Sequence, residues 1–121
     1  MTGLNIYIVE DNLLIAAVLK RMVTNLGHYV CGSSTSYERA VNDLQQMRID
    51  LVITDIMLGG KKNGIDLGRF IKTQLHIPFI FQSSITSADM IQDALDTSPQ
   101  AYLRKPVSKA TLSAAISTVL V

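Results

Sequence analysis

Short runs of apolar, mostly β-branched residues alternate along this chain with stretches whose apolar residues recur at helical spacing. That alternation limits the fold more than any other feature. Leu4 to Val9, His28 to Ser33, Leu51 to Thr54, Phe79 to Phe81 and Ala101 to Leu103 are predicted strands. Between and after them come five helical stripes. The first is Ile15, Val18, Leu19, Met22 and Leu26, with Gly27 as a stop. Tyr37, Ala40, Val41, Leu44 and Met47 form the second, with Ser36 as N-cap and Glu38 in the first turn. Leu67, Phe70, Ile71 and Leu75 form the third, and Met90, Ile91, Ala94 and Leu95 the fourth. Ser108 caps the last, which turns Leu112, Ala115, Ile116, Val119 and Leu120 inward. Five strand-then-helix units predict an α/β fold, because each crossover between parallel strands needs a helix. Such crossovers are right-handed. The uninterrupted apolar strands predict a doubly wound sheet buried on both faces. Cys31 and Gly32 suit the second strand to a sheet edge, and Pro78 sits where a missing N–H is tolerated.

A length of 121 residues makes the chain one domain, 1–121, with no separate output domain inside it. Eleven basic against ten acidic residues give a formal charge of +1, which supplies no basic field for nucleic acid or acidic lipid. No direct nucleic-acid or membrane partner is therefore expected. The single cysteine, Cys31, lies in an apolar run, not in a metal-type cluster, and cannot close an internal disulfide. The N-terminus has no basic leader, and no stretch approaches a membrane span. A cytoplasmic, reducing setting is expected.

In open parallel sheets, ligands bind beyond the carboxyl ends of the strands. There stand Glu10 and Asp11 after the first strand, Asp55 after the third, Ser83 and Ser84 after the fourth, and Lys105 with Pro106 after the fifth. Each has a plain alternative. Asp11 could cap the first helix, Asp55 could be a solvated loop residue, the serines could be turn or cap residues, and Lys105 could be an ordinary surface lysine. Their joint arrival at one rim is what those alternatives leave unexplained. Two like charges about 4 Å apart repel by about 4 kcal/mol at an effective dielectric near 20, so three carboxylates need a counter-charge. An all-oxygen set favours Mg²⁺ or Mn²⁺ over zinc. With a lysine and a hydroxyl alongside, these are the parts that stabilise a transferring phosphoryl group, and Asp55 could be the nucleophile.

The motifs Val9 to Asn12 (Val-Glu-Asp-Asn), Ile53 to Met57 (Ile-Thr-Asp-Ile-Met), the hydroxyl of Ser83, and Leu103 to Pro106 (Leu-Arg-Lys-Pro) stand in order along almost the whole chain. With these the sequence resembles the receiver domains of two-component response regulators, the superfamily of the stand-alone chemotaxis regulator. The resemblance implies a flavodoxin-like receiver fold, a five-stranded parallel sheet in the order 2-1-3-4-5 with five helices. It implies Asp55 as phosphoacceptor, taking its phosphoryl group from a histidine kinase or a histidine phosphotransfer protein. Glu10, Asp11, Asp55 and the backbone carbonyl of Met57 would serve the metal ion, Glu10 mainly through water. Lys105 would neutralise the phosphoryl oxygens, and Ser83 and Tyr102 would be the switch pair. The Lys105–Pro106 bond would be cis. Phosphorylation adds charge and acceptor oxygens, so contacts from Ser83 and Lys105 gained in that state alone shift a two-state equilibrium. The expected reporting surface is the fourth helix, fifth strand and fifth helix, acting on a downstream protein or a fused output domain. As a half-buried strand residue, Tyr102 also has an ordinary packing explanation.

Two departures from the family pattern stand out. The loop after Asp55 lacks a proline four residues on, and Gly64 falls one residue late, which leaves the loop path open. Ser84 replaces the usual small residue after the switch hydroxyl. Met57 and Ile85 occupy positions that, by the resemblance, border the attacking water in this family, and their apolar side chains are expected to slow dephosphorylation. An aspartate-nucleophile phosphatase would need a second carboxylate where Met57 stands. A flavodoxin-like nucleotide binder would need glycine or hydroxyl donors where Glu10 and Asp11 stand. A receiver degenerated to protein contacts would not need the full acid, hydroxyl and lysine set. The chain, which could be a domain cut from a longer regulator, is thus expected to be a phosphorylation-dependent switch and not a turnover enzyme. The last helices leave room for a homodimer, with no specific residue pointing to one.

Overall fold

The computed structural model describes residues 3–120. Within them the chain runs β1 (Asn5–Val9), α1 (Leu13–Asn25), β2 (Tyr29–Ser34), α2 (Tyr37–Leu44), β3 (Leu51–Asp55), α3 (Gly64–Phe70), β4 (Phe79–Ser83), α4 (Ala88–Asp96), β5 (Ala101–Arg104) and α5 (Lys109–Ser117). The five strands pair in parallel in the order β2-β1-β3-β4-β5. This is the expected order, with β2 at an edge. Val121, the last residue of the expected apolar tail, and Met1 and Thr2 lie outside the described residues.

Strand side chains alternate between the two faces, and each face has its own core. Ile6, Ile8, Leu51, Ile53 and Ile80 pack with Leu19, Val23, Leu112, Ala115 and Ile116 of α1 and α5. Tyr7, Val9, Val52, Phe79 and Phe81 pack on the other side with Ala40 and Leu44 of α2, Leu67 of α3 and Ala94 of α4. The phenol of Tyr7 is fully buried there and donates to Asp43 at 2.6 Å; burial first, then that carboxylate, holds its pKa well above the usual value.

Several helix details differ from the pattern read from periodicity. On α1 the buried line is Ala16, Leu19 and Val23, while Val18 stays 53% exposed. Stripes offset by one residue overlap on a helix, and the contact with the sheet selects between them. Leu95, near the end of α4, and Leu120, which lies three residues past the end of α5, are likewise exposed. The third helix ends in a π-helical stretch, Ile71–Leu75, closed by His76 in the left-handed region at φ 57°. Asn12, not Asp11, caps α1: its side chain accepts from the amides of Leu14 and Ile15. Ser87, not Ser83 or Ser84, caps α4, whereas Ser36 and Ser108 cap α2 and α5 as expected.

Strand β2 begins at Tyr29, since the His28 amide donates to the Val23 carbonyl near the end of α1, while its ring accepts the Leu4 amide. Its register with β1 skips Cys31: Ile6 faces Val30 and Tyr7 faces Gly32. Cys31 is the extra residue of a bulge, and burial pushes its thiol pKa up.

The loop after β3 follows a defined path. Asn63 and Asp66 form a reciprocal capping box at the start of α3. The Gly64 amide then donates to the Ile56 carbonyl at 2.7 Å. A Cβ on Gly64 would lie 2.0 Å from the Asp55 carbonyl oxygen, so only glycine lets α3 start this close to the end of β3. Gly64→Ala should therefore lower unfolding free energy by at least about 2 kcal/mol, as for an overpacked core. Gly59→Ala, where a Cβ meets nothing within 4 Å, should change it by under about 0.5 kcal/mol. Equal urea midpoints for the two variants would refute this account of the loop.

Candidate functional site

Continuing the strand alternation past the apolar rows brings four polar residues to one place. Glu10 follows Ile6 and Ile8, Asp55 follows Leu51 and Ile53, Gln82 follows Ile80, and Lys105 follows Ala101 and Leu103. All four fall at the carboxyl rim on the α1 and α5 face. Ser83 and Tyr102 belong to the opposite face, in the rows of Phe79, Phe81 and their neighbours.

The Lys105 ammonium joins two of the acids. Its Nζ lies 2.7 Å from Glu10 Oε1 and 2.9 Å from Asp55 Oδ2. Both carboxylates are buried and the lysine is nearly so. Every other oxygen of the pair has a neutral donor: Glu10 Oε2 accepts the Asn12 amide at 3.0 Å, and Asp55 Oδ1 accepts the Ile56 amide at 2.8 Å. Gln82 Nε2 adds a second donor to Glu10 Oε1 at 3.2 Å. Asp11 is exposed, yet one of its oxygens lies with one each from Glu10 and Asp55 in a group whose members are within 4.8 Å of one another. Three hard oxygen donors and no sulfur or imidazole in that group fit a divalent cation of the Mg²⁺ type.

The remaining sequence-predicted residues stand nearby in different roles. Ser83 is buried, and its Oγ accepts the Ile85 amide at 3.0 Å; no hydrogen bond joins it to the acids among the described residues. The Tyr102 ring meets Phe81 edge-on, with centroids 6.4 Å apart, and its buried hydroxyl has no partner among the described residues. Met57 projects to solvent. The Lys105–Pro106 bond is cis, as expected. Beside Lys105 and Gln82 opens a largely apolar groove of about 490 Å³, walled by Leu14, Val18 and Met22 of α1 and by Val107.

Gln82 is the residue that sequence reasoning missed. Its signal was there: a large amide ends an otherwise apolar run, opposite Asp55 in the β3–β4 register.

Comparison with known proteins agrees with this geometry. Residues 6–117 match the family model of the response regulator receiver domain. The chain belongs to that family. Receiver domains are phosphorylation-dependent switches of two-component signalling, not turnover enzymes, and bind Mg²⁺ at an acidic pocket. Among relatives, the transcriptional regulatory protein PdtaR of Mycobacterium tuberculosis is 30% identical over 92% of this chain and 54% of its own length. The chemotaxis protein CheY of Thermotoga maritima is 25% identical over 97% of this chain and 98% of its own. The signal receiver domain of a modulated diguanylate cyclase from Desulfovibrio desulfuricans G20 superposes with a TM-score of 0.92 at 32% identity, covering 98% of this chain and 94% of that one. This receiver domain spans about half the length of the transcriptional regulators that it resembles. None of its described helices is long and apolar enough to cross a membrane.

Burial presses the Lys105 ammonium toward the neutral form, but the Glu10 and Asp55 carboxylates outweigh it, and the net shift is upward from the ordinary lysine value. A folded-state pKa above the unfolded one lends stability that is whole below the unfolded value, about 10.4, and is lost as pH rises through the folded one. Wild-type stability should thus fall above about pH 10, and Lys105→Met should flatten that fall, leaving the part due to Tyr7, which titrates in the same sense. Denaturant unfolding across that range checks it; identical slopes would show that Lys105 is not the group responsible.

Proposed function

We propose that Asp55 is the phosphoacceptor of this receiver domain, with Glu10, Asp11, Asp55 and the Met57 carbonyl serving a Mg²⁺ or Mn²⁺ ion and Lys105 holding the transferred group. The observation that carries the reading is the ammonium of Lys105 set between Asp55 and Glu10 within a three-carboxylate cluster. An oxygen of Asp55 attacks phosphorus, the phosphorus–nitrogen bond of a donor phosphohistidine breaks, and its electron pair leaves with the imidazole, which takes a proton. A bound divalent ion would supply neutralisation of the charge on the phosphoryl oxygens. Lys105, already within hydrogen-bond reach of Asp55, supplies a second positive charge on the same side. The donor is a histidine kinase or a histidine phosphotransfer protein. The exposed Leu13, Leu14 and Val18 on α1, beside the groove that reaches Lys105, offer it an apolar seat next to the acids.

Residues 1–121 act as one receiver unit, and the α4, β5 and α5 surface carries the response to a downstream protein or a fused output domain. Its setting is the cytoplasm. Tyr102 supports the switch reading: a buried hydroxyl without a partner among the described residues costs about 1–3 kcal/mol, which a rearrangement that gave it one would recover.

Incubation with Mg²⁺ and acetyl phosphate should add about 80 Da to the intact mass, the addition of one phosphoryl group, and Asp55→Asn should abolish the gain. No gain from acetyl phosphate or from a phosphohistidine donor would favour a receiver used only for protein contacts. Met57→Asn and Ile85→Asn should each shorten the lifetime of the phosphorylated form severalfold, because a polar side chain there can orient water. Unchanged decay in both variants would remove these positions from the account.

A further inference from the structure

The geometry points to Gln82 as a positioning residue for Glu10, one that keeps the Glu10 carboxylate in place as a member of the divalent-ion cluster when Lys105 turns away. Gln82 is only 2% exposed, in the sheet between β3 and β5, next to Asp55 in register. Its row is otherwise apolar, with Ile80 preceding it in a packed core. If packing alone governed the position, an aliphatic side chain would serve better, since burying an amide is unfavourable unless it is hydrogen-bonded. Here the amide donates from Nε2 to Glu10 Oε1. Its orientation is dictated chemically, for the amide oxygen turned toward a carboxylate would be repelled.

The second donor on that same oxygen is Lys105. Lysine, however, is shared with Asp55, the group proposed to receive the phosphoryl group. As negative charge accumulates on Asp55, the ammonium is drawn to that side, and Glu10 Oε1 loses its cation. Gln82 carries no charge and makes no bond to Asp55 among the described residues. It has no reason to follow. With the Asn12 amide on Oε2, it leaves Glu10 held at both oxygens by neutral donors and fixed in orientation.

This inference rests on reading Glu10, Asp11 and Asp55 as the ion site. Calorimetric titration of MgCl₂ into the full chain tests it. Gln82→Met, which keeps length but loses the donor, should weaken Mg²⁺ binding roughly tenfold, the lower end of what losing an outer-shell partner does. The melting temperature of the metal-free chain should stay within a few degrees of wild type. Gln82→Asn keeps the amide but falls short by one methylene and should weaken binding similarly; it decides the matter if Gln82→Met does not fold. In a Lys105→Met background, where Gln82 is the remaining side-chain donor on Oε1, the same substitution should cause a larger loss. A folded Gln82 variant with wild-type Mg²⁺ affinity, or one whose melting temperature falls while affinity holds, would overturn the proposal. Wild type that neither binds Mg²⁺ nor gains phosphoryl mass would instead overturn the reading of the site itself.

Discussion

One ammonium group balances this structure's most unfavourable feature. Glu10 and Asp55 are carboxylates taken almost wholly out of water, with a third, Asp11, at their margin. Without a neighbouring cation, such a grouping favours neutralisation of one member or exposure of the rim. Lys105 supplies that cation, contacting the two buried acids at once. It comes from a distant part of the chain, so the bridge exists only when β1, β3 and β5 are in register across the whole sheet. Site and fold are therefore tied together: whatever disturbs the order of the strands also exposes the charge problem.

The sheet accomplishes this with ordinary means. Parallel strands bring all carboxyl ends to one rim, and the alternation of side chains assigns each polar residue a face. The hydrophobic rows beneath them set the height of the acids above the core. Local devices finish the placement. Asn12 ends the first loop by capping α1, which leaves Asp11 free of that duty. Gly64 lets the third helix begin against the Asp55 backbone. The amides of Asn12 and Ile56 then face carboxylate oxygens, giving the acids fixed dipoles as partners.

Much of the architecture was legible because it depends on coarse periodicity. The apolar runs ending at Val9, Thr54 and Phe81 announced buried parallel strands, and Ser36 and Ser108 announced helix starts. Other features were not legible for definite reasons. Val18 and Val23 lie on neighbouring helical lines, and only the tilt of α1 against the sheet decides which is buried. Asp11 and Asn12 are both good caps, so the choice depends on where the first turn closes. The bulge at Cys31 and the π-helical turn after Phe70 each insert one residue into a repeat without leaving a compositional mark. Strand order came from likeness to a family, not from periodicity. At the rim, the charged residues announced themselves. Gln82 did not, because a neutral amide gains its meaning only from the carboxylate that β1 places beside it.

The division of labour between the two faces has a further consequence. Gln82 and Ser83 are consecutive residues, yet one addresses the carboxylates and the other the aromatic side of the sheet, near Phe81 and Tyr102. A single peptide unit thus separates the side chain that meets the carboxylates from the one that lies on the aromatic face. Any tilt of that one amide plane at the end of β4 would therefore be felt on both faces of the sheet at once.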